Sequence, residues 1–257
     1  MLETTHHWLP IIITFYVPLS FFITYSIAVE NKHVEPGFPY ISYTGTTPPE
    51  SCVFGQLLNI GAVLAGVIIY TRYLQGQFHV ESNENRKNLK HLNTAAFITG
   101  ILTIFGVSLV GNFQATIVWE VHLIGAFLAF GVGFVYMILQ TIFSCMSVSL
   151  DRKIEGNSLC IRVFRIALCV ADFVLFIILG IAARLSISKG PGPGISRLHW
   201  SSDEPGYAEH LVATISQWLV AFITLIYFAT FYEEFKHFQM TAPQVTPRTP
   251  GNSVVPG

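Results

Sequence analysis

The organisation of this sequence is set by residues 36–59, which read PGFPYISYTGTTPPESCVFGQLLN. Four prolines and two glycines precede Ser51, and they prevent a helix because proline lacks an N–H donor and glycine costs backbone entropy. Pro48 and Pro49 then supply a fixed φ where a helix can begin, and Glu50 adds a carboxylate at the positive end of its dipole. The stretch therefore predicts a loop that ends at the start of a long apolar helix.

The same loop carries aromatic rings. Phe38, Tyr40 and Tyr43 provide apolar surface, with two hydroxyl tips, of the kind that suits the headgroup zone of a bilayer. Two interpretations remain open. The loop is either an ordered extramembrane segment that caps a helix bundle, or a surface that binds a partner.

Composition indicates a membrane protein. Charged residues make up 11% of the chain and hydrophobic residues 52%, with a mean hydropathy of +0.54. Soluble domains usually carry about 25% charged residues. The net charge of −1 gives no sign of a nucleic-acid surface, so membrane lipids and unidentified proteins are the expected partners. The four cysteines show no CxxC or metal-ligand spacing, so no disulfide framework and no cofactor are expected.

Six apolar runs predict an all-α polytopic bundle, because each run approaches the ~20 residues that cross a hydrocarbon core. They cover residues 9–29, 52–74, 92–111, 118–143, 161–186 and 209–231. The first run follows a segment without lysine, arginine or a small-residue cleavage site, so we expect a retained helix rather than a signal peptide.

Basic residues predict the orientation of the bundle. Ten of the 14 lysines and arginines fall on one side of a six-span arrangement and four on the other. The four are Lys32, Arg184, Lys189 and Arg197. By the positive-inside rule both termini are then cytosolic, and residues 30–51 and 187–208 are not.

Residues 1–236 are expected to form one transmembrane domain, and residues 237–257 a disordered cytosolic tail, because that tail is rich in proline, threonine and glycine. Residues 75–91 and 144–160 are expected to be polar cytosolic connections. Before the tail, Tyr232-Glu233-Glu234-Phe235 fits the Y-x-x-Φ pattern of endolysosomal sorting signals. Tyr232 and Phe235 are therefore candidate sorting residues.

Polar residues inside apolar runs are the best pointers to an intramembrane site. Asp172 is the deepest charge, and Asn59, Gln140 and Gln217 are its candidate hydrogen-bond partners. One interpretation is a carboxylate that bridges helices. The other is an ion or proton relay.

A second candidate cluster lies near the non-cytosolic helix ends. It comprises Glu120, His122, His199, Glu209 and His210. Histidines and glutamates together bind metals or respond to acid pH. The spacings match no established zinc motif, so interfacial capping of the helices is the third interpretation.

Small residues recur at helical spacing. Gly125, Ala129 and Gly133 form one such row, and Ala62 with Gly66 forms another. Because lipid supplies no hydrophobic drive between helices, these rows predict close backbone contact within the bundle.

The 36–59 stretch resembles the signature of the damage-regulated autophagy modulator (DRAM) family, roughly P-x-x-P-Y-I-S-x-T-G-T-x-x-P-E-x-x-x-F-G-x-x-x-N. Further matches follow in chain order: Tyr70-Thr71-Arg72-Tyr73, Asn112-Phe113-Gln114, His122 with Gly125-Ala126, Leu198-His199-Trp200, Gly206-Tyr207, His210 and Trp218. The loop residues that carry the match are candidate functional residues: Pro39, Tyr40, Ile41, Ser42, Thr44, Gly45, Pro49 and Glu50. Two positions depart from the pattern, since Tyr43 replaces an acidic residue and Gln217 replaces a glutamate.

The resemblance implies a non-enzymatic lysosomal or late endosomal membrane protein that promotes autophagy, with links to apoptosis. Distant relatives act at the plasma membrane and influence phosphoinositide-kinase recruitment. The sequence contains no GxSxG, HExxH, P-loop or GxGxxG motif, so an intramembrane hydrolase is a remote alternative. The stronger alternatives are an ion, small-molecule or lipid transporter that uses Asp172, and a plasma-membrane scaffold for lipid kinases.

Overall fold

The computed structural model describes residues 6–81, 86–148, 156–190 and 195–239. Every regular element in these ranges is helical, as the sequence predicts. Six helices are long and apolar enough to cross a membrane: His6–Glu30, Glu50–Glu81, Lys87–Asn112, Trp119–Met146, Leu159–Lys189 and Tyr207–Phe235. The six predicted spans are therefore confirmed by length and composition, while the side on which the termini lie stays a prediction.

The α-helices are numbered in chain order as α1 (Leu9–Glu30), α2 (Glu50–Glu81), α3 (Arg86–Asn112), α4 (Trp119–Ala126), α5 (Gly133–Met146), α6 (Leu159–Lys189), α7 (Tyr207–Ala229) and α8 (Tyr232–Phe235). A π-helical turn, Phe127–Val132, joins α4 to α5 within the fourth span. Short 3₁₀ helices cover His6–Trp8, Ile41–Gly45 and Ile195–His199.

The spans contact one another in a closed order, from the first span through the sixth and back to the first. α2 packs on α1 and α3, α3 packs on the fourth span, α5 reaches α6, and α6 packs along α7, which returns to α1. Residues 31–49, 113–118 and 190–206 connect helices at one end of the bundle, called here the loop end. The opposite end, where α1 begins and α8 finishes, is called the terminal end.

The structure differs from the sequence prediction over residues 75–91. These residues were expected to form a polar loop, but α2 continues to Glu81 and α3 begins at Arg86. The helices extend because Val80 and Leu89 are buried against Phe143. Burial of these apolar residues stabilises the helical hairpin beyond the hydrocarbon despite its polar sequence.

The start of α2 follows the sequence prediction. The helix begins at Glu50, directly after Pro49. The Glu50 carboxylate is fully buried, and its Oε1 lies 2.5 Å from Nδ1 of His33. Glu50 therefore links the start of α2 to His33, which follows α1. Its carboxylate also interacts favourably with the positive end of the α2 dipole.

The small-residue row of the fourth span packs against α3, as predicted. A Cβ atom added to Gly106 would lie 2.6 Å from the Ala129 backbone nitrogen and 2.7 Å from the Gly125 carbonyl oxygen. Real Cβ atoms do not approach backbone atoms that closely. The two spans therefore touch through their backbones at this crossing.

The described chain ends at Gln239, so most of the predicted tail, from residue 240, lies outside the described residues. So does most of the predicted 144–160 connection, since residues 149–155 are not described. The last described element, α8, folds back into the core through Phe235.

Candidate functional site

The loop after α1 is anchored to α7 by two hydrogen bonds. The Ile41 backbone N–H donates to Oε1 of Gln217 at 2.9 Å. The Trp218 indole N–H donates to the Pro39 carbonyl oxygen at 3.0 Å. Gln217 thus accepts a bond that a glutamate carboxylate would accept equally well, which gives a physical reading of its departure from the DRAM pattern.

Further contacts hold the Ile41–Gly45 helix down on the bundle. The Thr44 hydroxyl donates to the Ile41 carbonyl oxygen at 2.7 Å and lies 3.2 Å from the Thr24 hydroxyl of α1. Gly45 leaves room for the Phe54 ring, which any Cβ at this position would overlap. The threonines and the glycine of the motif therefore serve close packing.

Most of the eight candidate loop residues face inward. Pro39, Ile41, Ser42, Thr44, Gly45 and Glu50 are buried, Tyr40 is half-buried and Pro49 is exposed. The Tyr40 ring contacts the rings of Tyr43 and His210, each at a centroid distance of 5.2 Å. Burial raises the pKa of both tyrosine hydroxyls, so both remain protonated. This geometry is that of an ordered cap. Phe38, 54% exposed, is the large apolar side chain that the loop leaves accessible.

Four of the five residues of the predicted His/Glu cluster interact with residues outside the cluster. Lys189 pairs with Glu209 at 2.5 Å, and His199 pairs with Glu35 at 3.3 Å. The described residues contain no group of three or more His, Cys, Asp or Glu side chains placed to hold a metal. Glu209 and His199 thus take part in two separate ion pairs at the loop end.

The two buried histidines and the remaining glutamate of that cluster also have separate surroundings. His122 donates from Nδ1 to the Phe113 carbonyl oxygen at 2.7 Å. The His210 ring contacts the Trp200 ring in a tilted arrangement, at a centroid distance of 4.6 Å. Glu120 is exposed at the start of α4.

Asp172 is buried, with 1% of its surface exposed, but its predicted partners are wrong. Asn59 instead contacts Ser108 and Asn112, at 2.8 Å and 3.1 Å. Gln217 holds the loop as described above, and Gln140 accepts from an arginine. Among the described residues Oδ1 of Asp172 has no hydrogen-bond partner. The position of a polar residue in the sequence does not show which side of its helix faces Asp172, so the partners could not be predicted.

Among the described residues, one buried site holds three charged side chains, and the sequence analysis did not predict it. Arg72 of α2, Arg165 of α6 and Glu234 of α8 meet at the terminal end, all with exposures of 4% or less. Oε2 of Glu234 lies 3.1 Å from Nη1 of Arg72 and 2.5 Å from Nη2 of Arg165. We call these three residues the charged triad.

Polar and aromatic neighbours complete the surroundings of the charged triad. Arg165 donates from Nη1 to the Ser144 hydroxyl at 2.7 Å and from Nε to the Thr230 hydroxyl at 2.8 Å. The Phe231 ring lies 4.5 Å from the Arg72 guanidinium carbon and 4.8 Å from that of Arg165. Cation–π contact and charge-assisted hydrogen bonds together stabilise two buried arginines near one carboxylate.

The charged triad also changes the interpretation of the Y-x-x-Φ pattern. Its second glutamate is the buried Glu234, and its Φ residue, Phe235, is fully buried in the core. Tyr232 is half-buried and contacts the rings of His7 and Trp8. The four residues form the helix α8 rather than an exposed extended peptide, so a sorting receptor would have to unfold this end of the bundle to bind them.

The sequence match extends over this whole arrangement. The Frag1/DRAM/Sfk1/Cwh43P N-terminal domain matches residues 6–238, which include the loop, Asp172 and the charged triad. The chain belongs to this family. Individual members match about nine-tenths of the chain, so the predicted resemblance to the DRAM family is confirmed.

The chain is 35% identical over 236 residues to DNA damage-regulated autophagy modulator protein 2 of Homo sapiens, covering 91% of this chain and 85% of that protein. It is 34% identical over 232 residues to DNA damage-regulated autophagy modulator protein 1 of Homo sapiens, covering 89% and 90%. It is 33% identical over 231 residues to modulator of macroautophagy TMEM150B-B of Xenopus laevis, covering 89% and 85%. No solved structure matches this Frag1/DRAM family chain.

Proposed function

We propose that this Frag1/DRAM family protein modulates autophagy from the lysosomal or late endosomal membrane, without enzymatic activity and with a link to apoptosis. The carrying observation is the match over residues 6–238 to a family whose similar members are named autophagy modulators. The six spans support the placement in a membrane.

The geometry supports a role in interaction rather than in chemistry. The candidate loop residues stabilise a cap, and the charged triad joins three helices at the terminal end. In this proposal the bundle is a rigid platform. Its exposed loop-end residues and its terminal end contact proteins that regulate autophagosome turnover.

Autophagic flux in living cells tests the proposal. Cells lacking the protein are expected to show reduced turnover of a lipid-conjugated autophagosome marker, measured with and without an inhibitor of lysosomal proteases. Re-expression of the wild-type chain is expected to restore turnover. Unchanged flux in the deletion cells would overturn the proposal.

Organelle purification tests the location separately. The tagged protein is expected to copurify with lysosomal membranes, both in fed and in starved cells. Recovery mainly with the plasma membrane would contradict the lysosomal placement and would favour the alternative of a scaffold for phosphoinositide kinases.

A second candidate function, a carrier of protons or cations, is favoured by one observation. Asp172 lies midway along a spanning helix with an unpartnered buried Oδ1, and intramembrane carboxylates of this kind mark ion pathways in other proteins. Ion flux into proteoliposomes containing the purified chain tests this function. Flux that Asp172→Asn abolishes would establish it, and flux equal to that of empty liposomes would exclude it.

A further inference from the structure

A groove of about 310 Å³ lies between α5 and α6, and we call it the α5–α6 groove. Its walls include Ile142 of α5 and Ile166 and Val170 of α6, which are exposed on the outside of the bundle. Thr141 lines the groove as well, but its hydroxyl donates to the Met137 carbonyl oxygen at 2.8 Å, and the groove surface is apolar throughout. In a spanning segment, an open apolar groove is filled by hydrocarbon from the surrounding bilayer.

The size of the α5–α6 groove suits part of one acyl chain. Its volume is about twice that of the ~150 Å³ apolar cavity known to bind benzene. The rings of Phe134 and Phe173, the lining residues nearest the loop end, stack at a centroid distance of 5.7 Å. The groove therefore accommodates a chain segment that approaches from the terminal end, while the rest of the lipid stays in the bilayer.

The α5–α6 groove lies within one leaflet. Phe173 is near the midpoint of α6, and the groove runs from there to Ile166, towards the terminal end. Arg162 lies one turn further, 11 residues before Phe173, which is about 16 Å at 1.5 Å per residue. This distance is about half of the ~30 Å hydrocarbon core, so it brings Arg162 to the headgroup level of the terminal-end leaflet.

Arg162 shares a helix face with the groove. It precedes Ile166 by four residues, Cys169 by seven and Phe173 by 11, and residues at these spacings lie on one side of a helix. Arg165, three residues along the chain, turns into the bundle instead and joins the charged triad. Arg162 is therefore in line with the groove at its terminal end.

The charge of Arg162 is available to a ligand. Its side chain is half-buried and takes part in none of the ion pairs found within the described part of the chain. A guanidinium group matches the geometry of a phosphate and binds it through two parallel hydrogen bonds. The orientation predicted from the basic residues places this end in the cytosolic leaflet, which is the leaflet that carries anionic lipids.

We propose that the α5–α6 groove and Arg162 form a binding site for one anionic phospholipid of the terminal-end leaflet. An acyl chain lies in the groove, and the lipid phosphate pairs with the Arg162 guanidinium. The groove accepts the chain of any phospholipid, so Arg162 supplies the preference for a negative headgroup. The site is independent of any role in autophagy and does not involve Asp172, which does not line the groove.

Photo-crosslinking tests the proposal with the full chain in phosphatidylcholine liposomes. Two probes are compared, phosphatidylserine and phosphatidylcholine, each with a diazirine midway along one acyl chain and a terminal alkyne for enrichment. Mass spectrometry locates the adducts. We expect phosphatidylserine to label groove residues such as Ile166 and Val170 about fivefold more than phosphatidylcholine does, the ratio that corresponds to about 1 kcal/mol for one arginine near an anionic lipid.

Two pairs of variants test the headgroup contact and the groove separately. Arg162→Gln should remove the preference for phosphatidylserine, whereas Lys90→Gln, at an exposed position of α3 at the same end of the bundle, should keep it. Val170→Trp fills the groove and should cause the loss of groove adducts from both probes. Ile177→Trp, on the exposed face of α6 but outside the groove, is its control and should leave them in place.

Thermal unfolding of delipidated protein provides the second measurement. Compared with phosphatidylcholine, phosphatidylserine is expected to raise the unfolding midpoint of the wild type and of Lys90→Gln, but not that of Arg162→Gln. Ile142→Trp, on the α5 wall, replaces Val170→Trp if the latter fails to fold. Equal labelling of the groove by the two probes, adducts spread evenly over lipid-facing residues such as Ile177, or an unchanged preference in Arg162→Gln would overturn the proposal.

Discussion

Glu234 accepts two hydrogen bonds from Arg165, between Oε2 and Nη2 at 2.5 Å and between Oε1 and Nη1 at 3.2 Å. The donor belongs to the first turns of α6 and the acceptor to α8, after the last span. Arg72 of α2 meets the same carboxylate, so a single glutamate joins three helices of the bundle. At the terminal end both partners of these ion pairs are buried, whereas the Lys189–Glu209 and His199–Glu35 pairs of the loop end are partly exposed.

Neutralising Glu234 should strongly destabilise the protein. Glu234→Gln leaves two buried guanidinium groups without a counter-charge, and breaking a buried ion pair in this way costs about 3–5 kcal/mol. Thermal unfolding in detergent measures the effect. Its neighbour gives the control: Glu233 is exposed and, among the described residues, forms an ion pair with Lys236 alone, so Glu233→Gln should change the stability little. Equal midpoints for the two variants would show that the charged triad is not stabilising.

The close crossing of α3 and the fourth span should not tolerate a methyl group. Gly106→Ala places a Cβ against the backbone of Ala129, and such overpacking costs about 1–3 kcal/mol. Gly180→Ala in α6 is the matched control, because nothing lies within 4 Å of its added Cβ. That change should stabilise slightly, since alanine favours a helix by about 0.5–1 kcal/mol over glycine. A stable Gly106→Ala protein would contradict the backbone contact.

The same crossing predicts the effect of a larger residue on the other helix. Ala129→Leu should lower the unfolding midpoint more than Leu123→Ala, whose side chain is half exposed to lipid. Leu128 is not a suitable control, because its Cβ lies beside Gly106. The unfolding midpoints of the two variants are compared in the same detergent. A smaller decrease for Ala129→Leu than for Leu123→Ala would contradict the close crossing.

The orientation predicted from basic residues can be tested at two exposed positions. Ser202→Cys and Lys236→Cys are made separately in a background whose four native cysteines are replaced by alanine. In intact cells in which some protein reaches the surface, an impermeant maleimide should label Ser202→Cys only. Labelling of Lys236→Cys before permeabilisation would reverse the orientation.

Removing the Asp172 carboxylate should leave folding and autophagic flux intact. Because no described residue pairs with Oδ1, Asp172→Asn removes a buried charge without breaking a bond, and such changes are often neutral or stabilising. Asp172→Leu should fold too, since neither Asn59 nor Gln217 depends on this carboxylate. If Asp172→Asn folds normally but no longer supports autophagic flux, the carrier function is favoured.

The sequence by itself determined the number of spans, the start of α2 and the small-residue crossing. These features depend on local chemistry: runs of apolar residues must lie in hydrocarbon, two prolines end the loop before Glu50, and small residues permit helix contact. The motif over residues 36–59 was also sufficient to indicate the family.

Only the tertiary structure decided which polar groups meet. Arg72 and Arg165 lie inside apolar runs, but the sequence cannot show that both face Glu234, because the facing sides of helices depend on packing across the bundle. The same limit explains the wrong partners for Asp172 and the scattered His/Glu cluster. An apolar cavity inside the bundle, too, is lined by residues of α1, α2, α3, α7 and the fourth span, so no single helix encodes it.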